Sequence, residues 1–437
     1  MSLRTLGRRP YSARHYLLAG AAVVAVASTV AASSGVTASA STQGPAGPAG
    51  GRGRWVASFA ASPVAAGTLS GFSCPSGAGL NHQTVRDIVF STVGGREVRV
   101  RLTNTFGSTP LRVGRASVAV SGPKGNEQPG TVRQLTFHGH RSVTVFPNAE
   151  AISDPVKLRV PALHDLAVSV YAPTATGPAT QHFFAQQTNY VAPGDATLSS
   201  SAAPFTSSIY CSLFVDGVDV HSTGPVTRAV VALGDSITDG FGSTIGANRR
   251  WPNDLARYLA ARRGNDLTAI DAGIGGNELV ANRVPALFGV SALARLDRDV
   301  LVQAGARYVI LLEGINDIGA NNATAAQLIA GDEQIIAQVH AAGLKIFGGT
   351  LTPFRGSHAG YGGNYGTRYG EAQRAALNRW IRTSGAFDGV IDFAKAVQDP
   401  ADPQRMLPAY DSGDHLHPSD AGYRVMALAA LRALPRR

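Results

Sequence analysis

The stretch VVALGDSITDGFG, residues 230–242, begins as an apolar strand and then presents Ser236 between Asp235 and a Thr-Asp-Gly run. A serine hydroxyl is a poor nucleophile until a base takes its proton as it attacks. Imidazole suits that duty near neutral pH, and a carboxylate on its other ring nitrogen fixes the tautomer and stabilises the cation that forms. Both types stand near the end of the chain, in DSGDHLHPSDAGY. There Asp414 and His417 are three residues apart, and Pro418 bends the chain after them. Acyl transfer also needs donors for a tetrahedral oxyanion, and losing one such donor typically costs ~3 kcal/mol of barrier. The run GIGGN with Gly276 and the run EGIND with Asn316 offer a backbone N–H and a side-chain amide without adding charge. The chemistry these types suit is ester hydrolysis, and it calls for no cofactor.

Singly, each residue has a plainer role. Ser236 or Asp235 could cap the segment that follows. Gly276 could serve a turn with positive φ, Asn316 could satisfy buried backbone groups, and His417 could be an ordinary loop histidine. What decides is whether the fold brings them to one place.

From Thr227 onward the sequence predicts such a fold. Apolar runs (RAVVALG, TAIDAGIGG, RYVILLEGIND, KIFGGTLTPF and GVIDFAKAV) alternate with amphipathic stretches such as WPNDLARYLAARRG and SDAGYRVMALAALRAL. Strands apolar throughout and separated by helices imply a parallel sheet covered on both faces. The expectation is a three-layer α/β/α domain with a five-stranded parallel sheet over 227–437. Ligands bind beyond the carboxyl ends of such strands, where Ser236, Gly276 and Asn316 fall. Residues 55–226 have period two instead. REVRVRLTN places Val98, Val100 and Leu102 on one face and Arg99 and Arg101 on the other. Many short strands with no helical period predict an all-β, jelly-roll-like sandwich. Gly94-Gly95 reads as a two-residue hairpin between DIVFSTV and REVRVRLTN. No grouping of acids or histidines in this half suggests chemistry; His138 and His140 fall in a turn.

GDSIT, GIGGN, GIND and DHLH, in that order, resemble the four sequence blocks of the SGNH (GDSL-type) hydrolase family, over about residues 227–437. The resemblance implies a flavodoxin-like sheet. Carried over residue by residue, it makes Ser236 the nucleophile and an oxyanion donor, with Gly276 and Asn316 as the other donors. His417 becomes the base and Asp414 its orienting acid. His415 is an extra histidine beside this pair, and Asp411 is a competing acid. The Gly-x-Ser-x-Gly elbow of α/β-hydrolases is absent. Secreted members with a similar N-terminal sandwich include carbohydrate esterases, which suggests a substrate role for the β-rich half.

Composition narrows the partners. The formal charge is +10, of which Arg4, Arg8, Arg9 and Arg14 lie in the first 40 residues without an acid, leaving 10 − 4 = +6 beyond. The remaining basic residues are scattered and read as solvated surface, so no nucleic-acid partner is expected. A basic stretch, an apolar run and Ala38-Ser39-Ala40 form an export signal over 1–40, not a membrane span, and 41–54 follow as a flexible linker. In an exported chain, Cys74 and Cys211 read as a disulfide, worth ~4 kcal/mol or more for so long a loop. The whole describes a secreted serine esterase removing short acyl groups, such as acetyl, from a polysaccharide or glycoside. A lipase or phospholipase of the same fold is the alternative. Tyr361, Tyr365 and Tyr369, in the Gly-rich stretch 354–373 after the fourth strand, are expected to flank the substrate. A metal-dependent phosphoesterase using Asp235, Asp239, Asn316, Asp317, Asp414 and two histidines as ligands, and a non-catalytic glycan binder, are weaker readings. Oligomeric state is not readable.

Overall fold

In the computed structural model, which describes residues 54–69, 72–75 and 77–435, the change of period at Thr227 is a change of architecture. The export signal at 1–40 and most of the linker lie outside the described residues. Arg54 already belongs to the first strand, Arg54–Ala60.

The C-terminal half is a five-stranded parallel sheet in the order Leu267–Gly273, Arg228–Gly234, Ala306–Leu312, Lys345–Gly349, Gly389–Ile391. Val230, Val231, Leu233, Val309 and Ile310 are buried, as strands covered on both faces require. Burying each such side chain contributes ~1.5–3 kcal/mol. Helices Trp251–Ala261 and Asp420–Ala433 pack together as one layer, and Ala325–Ala341 and Arg368–Thr383 as the other. Strand order reverses between Arg228–Gly234 and Ala306–Leu312, so the crevice beyond these two carboxyl ends is the switch point where ligands bind. Two apolar runs are shorter strands than their length implied. After Ile391, Asp392 caps a short helix, Phe393–Val397, and after Gly349 the chain leaves the sheet.

The N-terminal half is mainly two antiparallel sheets. One runs Arg54–Ala60, Val215–Ser222, Gly95–Thr103 and then Glu150–Ile152, with Val156–Val160 also on Gly95–Thr103. The other centres on Gln83–Ser91, His164–Ala172 and Arg115–Val120. Between them lies a core that includes Val98, Val100, Leu102, Val168 and Val218. The expected hairpin at Gly94-Gly95 does not form. Gln83–Ser91 and Gly95–Thr103 lie in different sheets, and the two glycines carry the chain across the sandwich. A side chain at Gly95 would strike the backbone of His221 on the neighbouring strand, so close approach, not turn type, selects glycine there.

The basic residues are not all at water. Arg86 is buried and gives hydrogen bonds to Ser169 Oγ (2.9 Å), the Gly125 carbonyl (2.8 Å) and the Ser199 carbonyl (2.6 Å). Arg101, on the face expected to be solvated, bonds Asp216 Oδ1 at 3.0 Å and Gln303 Oε1 of the other half at 3.1 Å. A guanidinium tolerates burial where its five donors meet oxygens.

That second contact belongs to an extensive junction. The Ala57 N–H donates to the Ala304 carbonyl at 2.8 Å, Thr268 Oγ1 to Thr92 Oγ1 at 2.8 Å and Asn248 Nδ2 to Asp165 Oδ1 at 2.9 Å. Ala57 and Ala60 share one buried cluster with Val230, Leu233, Leu296 and Val300. The described residues accordingly form one compact unit. Differential scanning calorimetry is expected to give a single cooperative transition for the full chain. Two separate transitions would show that the halves unfold independently.

Candidate active site

Beyond Gly234 the chain makes one helical turn, Ser236–Asp239. Asp235 caps it, its Oδ1 accepting the Ile237 N–H at 2.8 Å. Gly240 ends the turn at φ 85°, a left-handed conformation that glycine adopts without strain. The turn lifts the Ser236 hydroxyl to the sheet edge. Helix Asp420–Ala433 is preceded by the loop that carries His417 to meet it. His417 Nε2 lies 2.8 Å from Ser236 Oγ, and its Nδ1 lies 2.7 Å from Asp414 Oδ2. With Nδ1–H donating to the carboxylate, Nε2 presents a lone pair to the hydroxyl proton. Asp414 Oδ1 accepts the N–H groups of Leu416 (2.9 Å) and His417 (2.8 Å). Burial works against the Asp414 charge, but the His417 hydrogen bond, the His417 charge and these N–H groups hold its carboxyl well below the usual range.

His415 and Asp411 do not compete. His415 points outward with φ 63°, its Nδ1 hydrogen-bonded to Asp411 Oδ2 at 2.7 Å, a contact separate from the site.

Gly276 stands beside Ser236 with φ 76°, and a Cβ there would collide with the Phe288 ring. Asn316 holds one amide hydrogen on the Asn277 carbonyl (2.8 Å), and its Oδ1 accepts the Tyr365 hydroxyl (2.6 Å). The second amide hydrogen is left for an incoming oxygen. Ser236, Gly276, Asn316 and His417 line one cavity of about 210 Å³.

Further side chains join the site, some expected from the sequence and some, such as His182 and Arg295, without a signature in it. Tyr361 donates to Asp414 Oδ2 at 2.8 Å, with its oxygen 3.3 Å from His417 Nδ1. The Tyr-rich stretch therefore reaches the site through Tyr361 and Tyr365, whereas Tyr369 bonds the Asn322 carbonyl. From the β-rich half, His182 donates to the Ser62 carbonyl through Nδ1 (3.0 Å) and meets Asp239 Oδ1 through Nε2 (3.1 Å). Both ring nitrogens face acceptors, the pattern of an imidazolium. Burial disfavours that charge, but Asp239 and the Ser62 carbonyl outweigh it and hold the pKa above its ordinary value. Asp239 Oδ2 also accepts the Gly275 N–H at 3.2 Å, and the Asp239 carbonyl accepts Arg250 Nε at 2.6 Å. One carboxylate thus joins the serine turn, the Gly275-Gly276 loop and the β-rich half. Arg295, buried, ties the Gly234 (2.9 Å) and Ala272 (2.7 Å) carbonyls to Asn277 Oδ1 (2.9 Å). Asp317 accepts the Leu279 and Val280 N–H groups at 2.8 and 3.0 Å.

Residues 232–425 match the model of the GDSL-like lipase/acylhydrolase family. That stretch is a GDSL-like lipase/acylhydrolase domain, and the protein is a carboxylic ester hydrolase. Solved structures similar to this chain include a lipolytic protein of the G-D-S-L family from Desulfitobacterium hafniense DCB-2, 20% identical, covering 47% of this chain and 99% of its own, with TM-score 0.37. A lipase/acylhydrolase from Enterococcus faecalis is 21% identical over 48% of this chain and 99% of its own, with TM-score 0.37. A carbohydrate acetylesterase from Sinorhizobium meliloti is 15% identical over 47% and 97%, also with TM-score 0.37. A search of curated proteins finds no match. Among the described residues, no helix is long and apolar enough to cross a membrane.

The buried network sets a pH dependence of stability. Burial raises the carboxyls of Asp235 and Asp271, and raises Asp317 to about 6. Carboxyls raised on folding bind more protons in the native than in the unfolded state, so stability falls as pH rises through the interval between the two pKa values. His182, also raised, contributes stability that is lost as pH climbs through its folded value. Asp414, lowered on folding, contributes fully above the ordinary carboxylate range and adds no slope at higher pH. The melting temperature is expected to fall between pH 5 and pH 8, followed by differential scanning fluorimetry; a rise over this interval would contradict the assignment.

Proposed function

We propose that this GDSL-family hydrolase is a secreted serine esterase in which Ser236, His417 and Asp414 form the catalytic triad. The contacts of 2.8 Å and 2.7 Å that link serine, imidazole and carboxylate are the observation that carries this reading. Ser236 Oγ attacks the ester carbonyl carbon as its proton passes to His417 Nε2, and the imidazolium is stabilised by Asp414. The oxyanion accepts hydrogen bonds from the Ser236 and Gly276 N–H groups and from Asn316 Nδ2. Collapse of this intermediate breaks the bond to the alkoxy oxygen, which leaves with the proton from His417. Water then attacks the acyl-enzyme with the same imidazole as base, and the acid and free Ser236 are released.

The walls of the cavity address the acyl group. Apart from the polar residues already named, they include Leu69, Phe72, Phe184, Phe241, Phe288 and Leu416. The methyl of an acetyl group occupies about as much space as one water molecule, ~30 Å³, a small part of about 210 Å³. Apolar walls of this extent favour a larger apolar acyl or aryl group over acetyl, so the expected order of substrates is reversed here. The bond between Cys74 and Cys211 supports an oxidising compartment, and with it export through residues 1–40.

Ser236→Ala is expected to leave the melting temperature nearly unchanged and to lower kcat on p-nitrophenyl butyrate by at least about a thousandfold. It should also abolish labelling by a fluorophosphonate. Hydrolysis that survives this substitution and stops with EDTA would overturn the serine mechanism.

A further inference from the structure

The cavity at Ser236 is not the end of the apolar surface. Phe72 and Phe184 form part of its wall, and the same two rings form part of a second cavity, of about 280 Å³, completed by Gln186, Tyr210 and Ile245. None of these five side chains carries a charge. Tyr210 and Ile245 are 38% and 55% exposed, so two large apolar groups stand at water beside an open hollow, an arrangement that marks a binding surface more often than chance exposure.

The walls are held in place from both halves. Phe72 packs edge-on against Phe184 with centroids 4.9 Å apart, Phe184 against Phe241 at 5.2 Å, and Phe241 lies 4.6 Å from the His417 ring. An unbroken aromatic row therefore runs from the second cavity to the imidazole at Ser236. Backbone bonds frame it. The Tyr210 N–H donates to the Ser73 carbonyl (3.0 Å), the Ala185 N–H to the Tyr210 carbonyl (3.2 Å) and the Gly246 N–H to the Gln186 carbonyl (3.0 Å). The disulfide closes the frame, because Phe72 stands two residues before Cys74 and Tyr210 one residue before Cys211.

We propose that this second cavity is a subsite for the distal part of an extended apolar acyl chain whose carboxyl carbon lies at Ser236, and that the Cys74–Cys211 bond holds its Phe72 and Tyr210 walls together. The inference rests on the esterase reading and specifies its substrate class: esters of medium or long straight-chain acids. A short acyl group stays in the first cavity, and a longer one continues along the Phe72 and Phe184 rings to Ile245. The β-rich half thereby sets chain-length selectivity.

The test is the ratio of kcat/KM for p-nitrophenyl octanoate to that for p-nitrophenyl acetate, measured on the full chain below micellar concentrations. Ile245→Asn changes an exposed side chain and keeps the fold accessible to measurement; Tyr210→Ala is the second variant. Each is expected to lower the ratio at least about tenfold, as is the Cys74→Ser/Cys211→Ser protein. Ratios within twofold of wild type in both Ile245→Asn and Tyr210→Ala would overturn the subsite. An unchanged ratio in the disulfide-free protein alone would overturn the role given to the bond. Calorimetric binding of octanoate to Ser236→Ala separates this inference from the activity itself. If wild type hydrolyses neither ester, the esterase reading fails. Binding that is then weakened by adding Ile245→Asn upholds the subsite, and binding indifferent to it overturns the subsite as well.

Discussion

Ser236 and His417 are separated by 181 positions in the chain, and their side chains meet at 2.8 Å. A hydrogen bond of that length tolerates displacements of only a few tenths of an ångström, so two distant segments must be fixed independently and to the same frame. The frame is the sheet edge. Strand Arg228–Gly234, flanked by Leu267–Gly273 and Ala306–Leu312, delivers the serine turn. Helix Asp420–Ala433 packs on Trp251–Ala261 and anchors the loop before it, which delivers the imidazole. Tyr423 in that helix reaches back to the Phe241 carbonyl at 2.6 Å, locking the second segment to the first.

The same constraint explains why the β-rich half is not an appendage. Asp239 lies in the serine turn and is held by His182 from one side and by the Gly275 N–H and Arg250 from others. Arg295 reaches Ser62 Oγ at 3.1 Å while it holds the ends of two strands. A buried carboxylate without such partners would cost several kcal/mol. The charges therefore act only as a set, and the set includes residues of both halves. A separable carbohydrate-binding module would make no such demands on the serine turn. Here the sandwich supplies a wall of the cavity and a brace for its floor.

Much of this was legible in the amino-acid sequence because it is local. GDSIT, GIGGN, GIND and DHLH each fall at a strand end or terminal loop, and apolar runs separated by amphipathic stretches suffice to place them on one edge. Asp414 and His417 are three residues apart, so a short loop brings them together. What escaped is what tertiary contact alone creates. His182 lies on a two-residue strand with no acid near it in the sequence, and becomes an ion-pair partner only when Asp239 is packed against it. Arg86, Arg101 and Arg295 carry the composition of surface residues, and most of their acceptors, backbone carbonyls and side-chain oxygens alike, lie far from them in the sequence. Gly94-Gly95 fits a hairpin locally, yet the sandwich needs its flanking strands in opposite sheets. Tyr361 could be assigned to the active edge, but its bond to Asp414 depends on how the Gly-rich stretch folds back.

The account stands on the meeting of serine, imidazole and oxyanion donors at one carbonyl carbon. A crystal structure of the protein inactivated by an alkyl fluorophosphonate tests it most directly. The prediction is a covalent bond from Ser236 Oγ to phosphorus, with the phosphoryl oxygen within about 3 Å of the Gly276 nitrogen and Asn316 Nδ2. Phosphorus bound to another residue, or a phosphoryl oxygen turned away from both donors, would contradict it.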